Sequence, residues 1–199
     1  FALAPTLEGG QAAVARLGAV DGDRFTVRIQ EPQGYNDRHL VEEVGWLVVE
    51  AGSWDLGGSV LEAGAFTSST TVDYDQRVFD SVDFTADFAD TPSVLTQTQT
   101  VNGGNFTTTR QRDGDRDGIE VALQEGEAGD GVHAAEQIGW LAVDGGRTEI
   151  GDDVLLAGRT ADAVTHRAFD LGFDEGFAAA PTFLAALSSF DGPDTAFVR

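Results

Sequence analysis

The 199-residue sequence contains no cysteine, no methionine and no lysine. Without cysteine there is no disulfide framework and no thiolate nucleophile. All twelve basic residues are arginine, set against 34 acidic ones, giving a formal charge of −22. Such a surface repels nucleic acid and anionic membranes and attracts divalent cations. No apolar run is long enough to cross a bilayer. There is no Gly-x-Ser-x-Gly elbow and no phosphate loop, and His166-Arg167 stands in a variable stretch, so the chain reads as non-enzymatic. Initiator methionine and signal segment are missing too, and the chain reads as a window on a longer array. Completion of its ends by strands of neighbouring chains is the alternative.

What is present is a repeat. With Thr6 placed over Thr100 and no gap, Gly9, Gly10, Arg16, Asp21, Val27, Gln30, Glu31, His39, Glu42, Gly45, Trp46 and Leu47 fall on Gly103, Gly104, Arg110, Asp115, Val121, Gln124, Glu125, His133, Glu136, Gly139, Trp140 and Leu141. The same shift carries Val60, Leu61, Ala63 and Gly64 onto Val154, Leu155, Ala157 and Gly158. A slightly shorter shift aligns Phe84, Phe88, Pro92, Gly103 and Arg110 with Phe173, Phe177, Pro181, Gly192 and Arg199. A period of about 90 residues suits a small domain rather than a solenoid coil. The expected division is residues 1–52 as the second half of one copy, 53–146 as a complete copy and 147–199 as the first half of a third.

Periodicity says strand nearly throughout. Phe25, Val27 and Ile29 alternate with polar residues, as do Ile119, Val121 and Leu123. Gly9-Gly10, Asp21-Gly22, Gly57-Gly58, Asp117-Gly118 and Gly145-Gly146 punctuate them as turns. Ala134-Ala135-Glu136 offers one helical turn at most. The complete copy is expected to hold six strands, two sheets of three, making the chain an all-β array of tandem antiparallel six-stranded β-sandwich repeats.

Phe84-x3-Phe88-x3-Pro92, Arg110, Gly118-Ile119-Glu120-Val121 and Trp140-Leu141-Ala142 resemble the H-type lectin domain. With Gln124-Glu125 and His133-Ala134-Ala135-Glu136, they look closer still to lectin-like repeats of large secreted bacterial proteins that often carry hemolysin-type calcium-binding repeats. The resemblance implies a six-stranded sandwich, trimeric association and galactose-type sugars bound near subunit contacts. It also implies that Arg16, Arg110 and Arg199 stand near the strand used for those contacts. Framework residues carry over; the family's sugar-contacting loop residues are not matched.

Four groups are candidates for chemistry. Gln124, Glu125, His133 and Glu136, repeated from Gln30, Glu31, His39 and Glu42, read either as a hydrogen-bonded clamp closing a loop or as a polar site for a metal or a sugar hydroxyl. Zinc would want more firm ligands than one histidine per copy supplies. Asp113, Asp115 and Asp117 read as an acidic hairpin turn or as the first half of a calcium loop, without the glutamate that would close it. Trp46 and Trp140 are expected in the core rather than stacked on a sugar, Trp54 is expected as a surface or contact residue, and Tyr35 and Tyr74, in loops, read either as sugar-stacking rings or as lids on the core. The arginines read as structural ion pairs or contact residues. These features together suit an extracellular carbohydrate-binding or adhesion module, lectin-like, with copies of itself and glycans as partners and calcium as a candidate ion. The alternative is an architectural repeat assembling into a fibre, sheath or stalk; a calcium-dependent scaffold is a third.

Overall fold

The computed structural model describes residues 1–3, 8–36, 38–174 and 176–198; Thr6 and Arg199, which the repeat alignment uses, lie outside the described residues. Among the described residues the chain is all-β without a helix. Thirteen strands are β1 (Ala2–Leu3), β2 (Val14–Val20), β3 (Phe25–Gln30), β4 (Gly45–Trp46), β5 (Gly52–Asp55), β6 (Val60–Ser68), β7 (Asp80–Asp83), β8 (Ser93–Thr98), β9 (Thr107–Arg112), β10 (Gly118–Glu125), β11 (Glu136–Val143), β12 (Gly146–Ile150) and β13 (Asp153–Ala157). They pair antiparallel in five small sheets: β7-β10-β9, β5-β6-β11-β8, and the pairs β1-β4, β2-β3 and β12-β13. Ala134 and Ala135 lie in the loop before β11, not in a helical turn.

The pairings repeat at the shift that carries Trp46 onto Trp140. Ala2 faces Trp46 as Thr96 faces Trp140. Ala15 faces Ile29 as Thr109 faces Leu123. Gly52 faces Ala63 as Gly146 faces Ala157. One register rule, set by the same alternation of inward and outward side chains, is read out again in the next copy.

Two apolar clusters organise the middle of the molecule. In the first, Val82 of β7 and Ile119, Val121 and Leu123 of β10 meet Val94 of β8 and Ile138, Trp140 and Ala142 of β11, with Phe88 between them. It joins the two larger sheets. The second lies on the other face of β11 and β6, where Leu141, Val143, Leu61 and Ala63 meet Leu47 and Val49 from the first copy and Leu155 and Ala157 from the third. Those four added residues occupy the positions of Leu141, Val143, Leu61 and Ala63 in their own copies. This explains why Trp140-Leu141-Ala142-Val143 does not alternate: one face fills its own copy's core, and the other fills a cluster shared by three copies.

Beside the shared cluster, a cavity of about 100 Å³ is lined by residues 1–3, 95–98 and 184–187, and by 13–15, 107–109 and 196–198. Each triplet of segments holds matching positions of the three copies. The copies therefore meet around a common point rather than standing as beads on a string. Gln97 holds the junction, its Nε2 donating to the carbonyls of Ala2 at 2.8 Å and Ala15 at 3.0 Å, while its Oε1 accepts the Ala2 N–H.

Candidate functional site

The repeated His–Glu motif of the second copy is a closed clamp. β11 begins with Glu136 and β10 ends with Glu125, so two carboxylates reach His133 in the loop between the strands. His133 Nδ1 lies 2.7 Å from Glu125 Oε1 and Nε2 lies 3.0 Å from Glu136 Oε1. The doubly protonated ring can donate to both; a neutral ring can donate to one. Glu136, fully buried, also accepts the Thr100 hydroxyl at 2.5 Å and the N–H groups of Asn102 and Gly103 at 3.0 and 3.1 Å. Burial alone would raise its pKa; the bonds from Thr100, Gly103, Asn102 and His133 outweigh that and hold it below the usual carboxylate range. Gly103 is glycine because a Cβ there would come within 2.7 Å of the His133 ring. Gly9 stands against His39 in the same way, at 2.8 Å.

The sequence pointed to Glu136 but not to Thr100, Asn102 and Gly103 as its donors. The repeated Gly9 and Gly103, one behind each histidine, were the available signal. A second buried carboxylate went unread. Glu62 accepts the N–H groups of Thr85 and Ala86 at 3.0 Å and the Thr85 hydroxyl at 2.5 Å, closing the stretch after β7 onto β6. Its counterpart in the third copy is Leu156, so the repeat pattern did not flag it.

The clamp is also a seam between copies. Arg16, buried, donates from Nη2 to Glu136 Oε1 at 2.8 Å and from Nη1 to the Thr107 carbonyl at 3.1 Å. Burial lowers its pKa and the Glu136 charge opposes that shift. Arg110, one copy on, donates to Gln124 Oε1 at 2.8 Å and to the Asp194 carbonyl at 3.2 Å, with its guanidinium 4.7 Å from the Phe190 ring centre. Gln30 Nε2 donates to the Gly104 carbonyl at 3.4 Å, and Gln124 Nε2 to the Pro193 carbonyl at 2.8 Å. The first-copy-to-second contact is thus repeated from second to third.

The first copy's clamp is built differently. His39 Nδ1 lies 3.1 Å from the Leu40 carbonyl and 3.4 Å from Glu42, whose Oε1 accepts the Glu8 N–H at 3.0 Å. Glu31, the counterpart of Glu125, is buried with neither carboxylate oxygen hydrogen-bonded among the described residues.

The acidic loop is an exposed turn. Asp115 Oδ1 accepts the N–H groups of Asp117 at 2.8 Å and Gly118 at 3.0 Å. Asp113, at φ 49°, sits 3.3 Å from the Arg112 guanidinium, and Asp117 sits 3.4 Å from that of Arg116. A donor set already engaged with two arginines and two amides is a poor fit for calcium, and among the described residues no group of three or more His, Cys, Asp or Glu is arranged to hold a metal. Of the aromatic candidates, Tyr35 and Tyr74 are exposed, but Trp54 packs against the shared apolar cluster with its ring over Gly52. Trp140 is 8% exposed, as expected of a core residue, whereas Trp46 is 59% exposed. Trp46, expected in the core, is exposed here: its strand is present, and at the repeat shift the positions matching Gly64, Phe84 and Phe88 fall before Phe1.

Over 189 residues, 92% of its length, the chain is 24% identical to Halomucin of Haloquadratum walsbyi. It spans about 2% of that relative's own length. No family model matches the sequence, and no solved structure matches it. With the all-β architecture, the similarity fits an extracellular or surface repeat protein. No helix among the described residues is long and apolar enough to cross a membrane.

Proposed function

We propose that the chain is an architectural module of an extracellular surface protein, in which repeat copies pack against one another. The shared cluster of Leu47, Leu61, Leu141 and Leu155 carries this reading, because it draws matching apolar residues of all three copies together on one face of β6 and β11. The clamp residues support it: Gln124, Glu125, His133 and Glu136 are buried, bonding to each other or to the adjoining copy. The six strands β6 to β11, three in the sheet β7-β10-β9 and three in the sheet that β5 extends to four, enclose one core and support a lectin-like sandwich as the unit, bounded near residues 53 and 146. The repeated registers on either side support the same division.

The test is hydrogen exchange on the 199-residue chain. Leu47→Asp, in the first copy, is expected to accelerate exchange across residues 136–143 of the second. Unchanged protection there would mean that the copies are independent and would sink the packing reading.

Carbohydrate binding is the second reading, favoured by Tyr74. That ring stands exposed between two aspartates, on a turn pinned by Asp73 Oδ1 accepting the N–H groups of Asp75 and Gln76. A glycan array on the folded chain, with calcium and with chelator, decides it: selective binding lost in Tyr74→Ala establishes a sugar site, and a blank array removes it.

A further inference from the structure

The loop that leads into β9 carries a motif of its own. Asn105-Phe106-Thr107 has the Asn-x-Ser/Thr spacing, with no proline between, of an asparagine that accepts an N-linked sugar. Asn36 and Asn102 lack it, since Arg38 and Gly104 stand two residues beyond them. Neither neighbouring copy keeps the pair. The first has Gln11 and Ala13 at these positions, and the third has Asp194 and Ala196. Yet β2 pairs with β3 as β9 pairs with β10, so the fold does not require an asparagine and a threonine here.

We propose that Asn105 is the attachment site of an N-linked glycan. Asn105 is exposed with the first copy already seated beside it, Gln30 on the Gly104 carbonyl and Arg16 on that of Thr107. Gly104 has nothing within 4 Å of where a Cβ would be, which leaves room for the first sugar ring. The Asn105 amide nitrogen holds two hydrogens, and one donates to Glu125 Oε1 at 3.1 Å. The other is the one lost on attachment. Nδ2 bonds to C1 of the sugar, the bond from C1 to the phosphate oxygen of a lipid-linked sugar donor breaks, and the lipid phosphate leaves with the electron pair as the proton passes to a base of the transferring enzyme. The linked amide keeps one N–H, so the bond to Glu125 survives, ties the attachment point to the His133 clamp and turns the sugar outward. The Thr107 hydroxyl is buried and donates to the Gln124 carbonyl at 3.3 Å, out of reach once β9 has paired with β10. Transfer therefore precedes folding. The inference uses the extracellular setting and is independent of how the copies pack.

The test exports the full 199-residue chain from cells that carry an oligosaccharyltransferase. The product is digested and treated, in heavy-oxygen water, with an amidase that releases N-linked glycans and labels the residue that bore them. The expected result is label at position 105 that requires the amidase, is lost in Asn105→Gln and Thr107→Ala, and is kept in Thr107→Ser, which retains the hydroxyl. Because transfer precedes folding, these peptides report even on a variant that fails to fold. An unlabelled Asn105 peptide, from cells that modify a control protein with the same motif, overturns the proposal, as does label that persists in Thr107→Ala. Leu47→Asp, which tests the packing of copies, is expected to keep the label, so the two readings fail separately.

Discussion

Trp46 and Trp140 stand at the same place in the repeat, on strands paired in the same register, and differ in what lies above them. Around Trp140 the chain supplies Phe84, Phe88 and the bare backbone of Gly64, and the ring is buried. Around Trp46 the aromatic neighbour among the described residues is Phe25, and the positions matching Gly64, Phe84 and Phe88 lie before Phe1. The two histidine clamps differ in the same sense, since Glu125 binds His133 while Glu31 is left without a hydrogen bond among the described residues. A strand's own sequence thus encodes half of a core. For Trp140 the other half comes from Gly64, Phe84 and Phe88, which precede it by 76, 56 and 52 residues.

The strongest way to break this comparison is to remove both tryptophans in turn. Trp140→Ala is expected to cost about 3–5 kcal/mol of unfolding free energy, the usual range for deleting a large buried aromatic side chain. Trp46→Ala, measured on dilute monomer, is expected to cost less than about 1 kcal/mol, as for surface sites. Equal losses by urea denaturation would mean that Trp46 is covered in solution within a single molecule.

A comparable effect is expected at Glu136, with a signature that distinguishes it. Glu136→Gln leaves Arg16 buried without its counter-charge, and breaking such a pair costs roughly 3 kcal/mol or more. The sign of the pH dependence follows from the lowered pKa of Glu136. An ionised group held below its unfolded value stabilises the fold above the ordinary carboxylate range, and that contribution is lost as pH falls through the folded value. Wild-type stability should therefore fall on acidification through that window, and Glu136→Gln should flatten the fall. An unchanged acid limb in the variant would remove Glu136 from the account.

Adjacent glycines sharpen the contrast further. Gly103→Ala drives a methyl into the His133 ring and should cost about 1–3 kcal/mol, the range for overpacking. Gly104→Ala meets nothing within 4 Å and should be close to neutral. Thermal melts of the pair suffice, and a neutral Gly103→Ala would show that the clamp yields.

Much of the architecture was legible from sequence because β-structure announces itself by alternation and turns. Phe25, Val27 and Ile29 gave β3, and Leu95 to Thr100 gave β8 to within two residues at each end. β7 is less legible: Asp80–Asp83 carries one buried apolar residue, Val82, and Phe84 and Phe88 just beyond it are the stronger apolar signal. His133 and Glu136 were legible as a pair because the repeat preserves their spacing. Their environment was not, since burial of Glu136 depends on Arg16, 120 residues away, and on turn amides that any residue type can provide. Trp46 is exposed because the positions that match Gly64, Phe84 and Phe88 lie before Phe1.

The smallest effect expected is at the acidic turn, and it separates two uses of a carboxylate. Glu136 gathers donors in a buried setting, whereas Asp115 pins an exposed turn with two backbone amides. Asp115→Ala should lower stability by about 0.5–1.5 kcal/mol, the scale of ordinary hydrogen bonds. If Asp113, Asp115 and Asp117 do no more than shape the hairpin, calcium will raise the melting temperature no further than magnesium at equal ionic strength. Both ions act on a chain of charge −22 through general screening and weak condensation, which depend on valence rather than on ionic radius. A larger rise with calcium that disappears in Asp115→Ala would instead show that the turn can open its carboxylates away from Arg112 and Arg116 to coordinate the ion, against the geometry described.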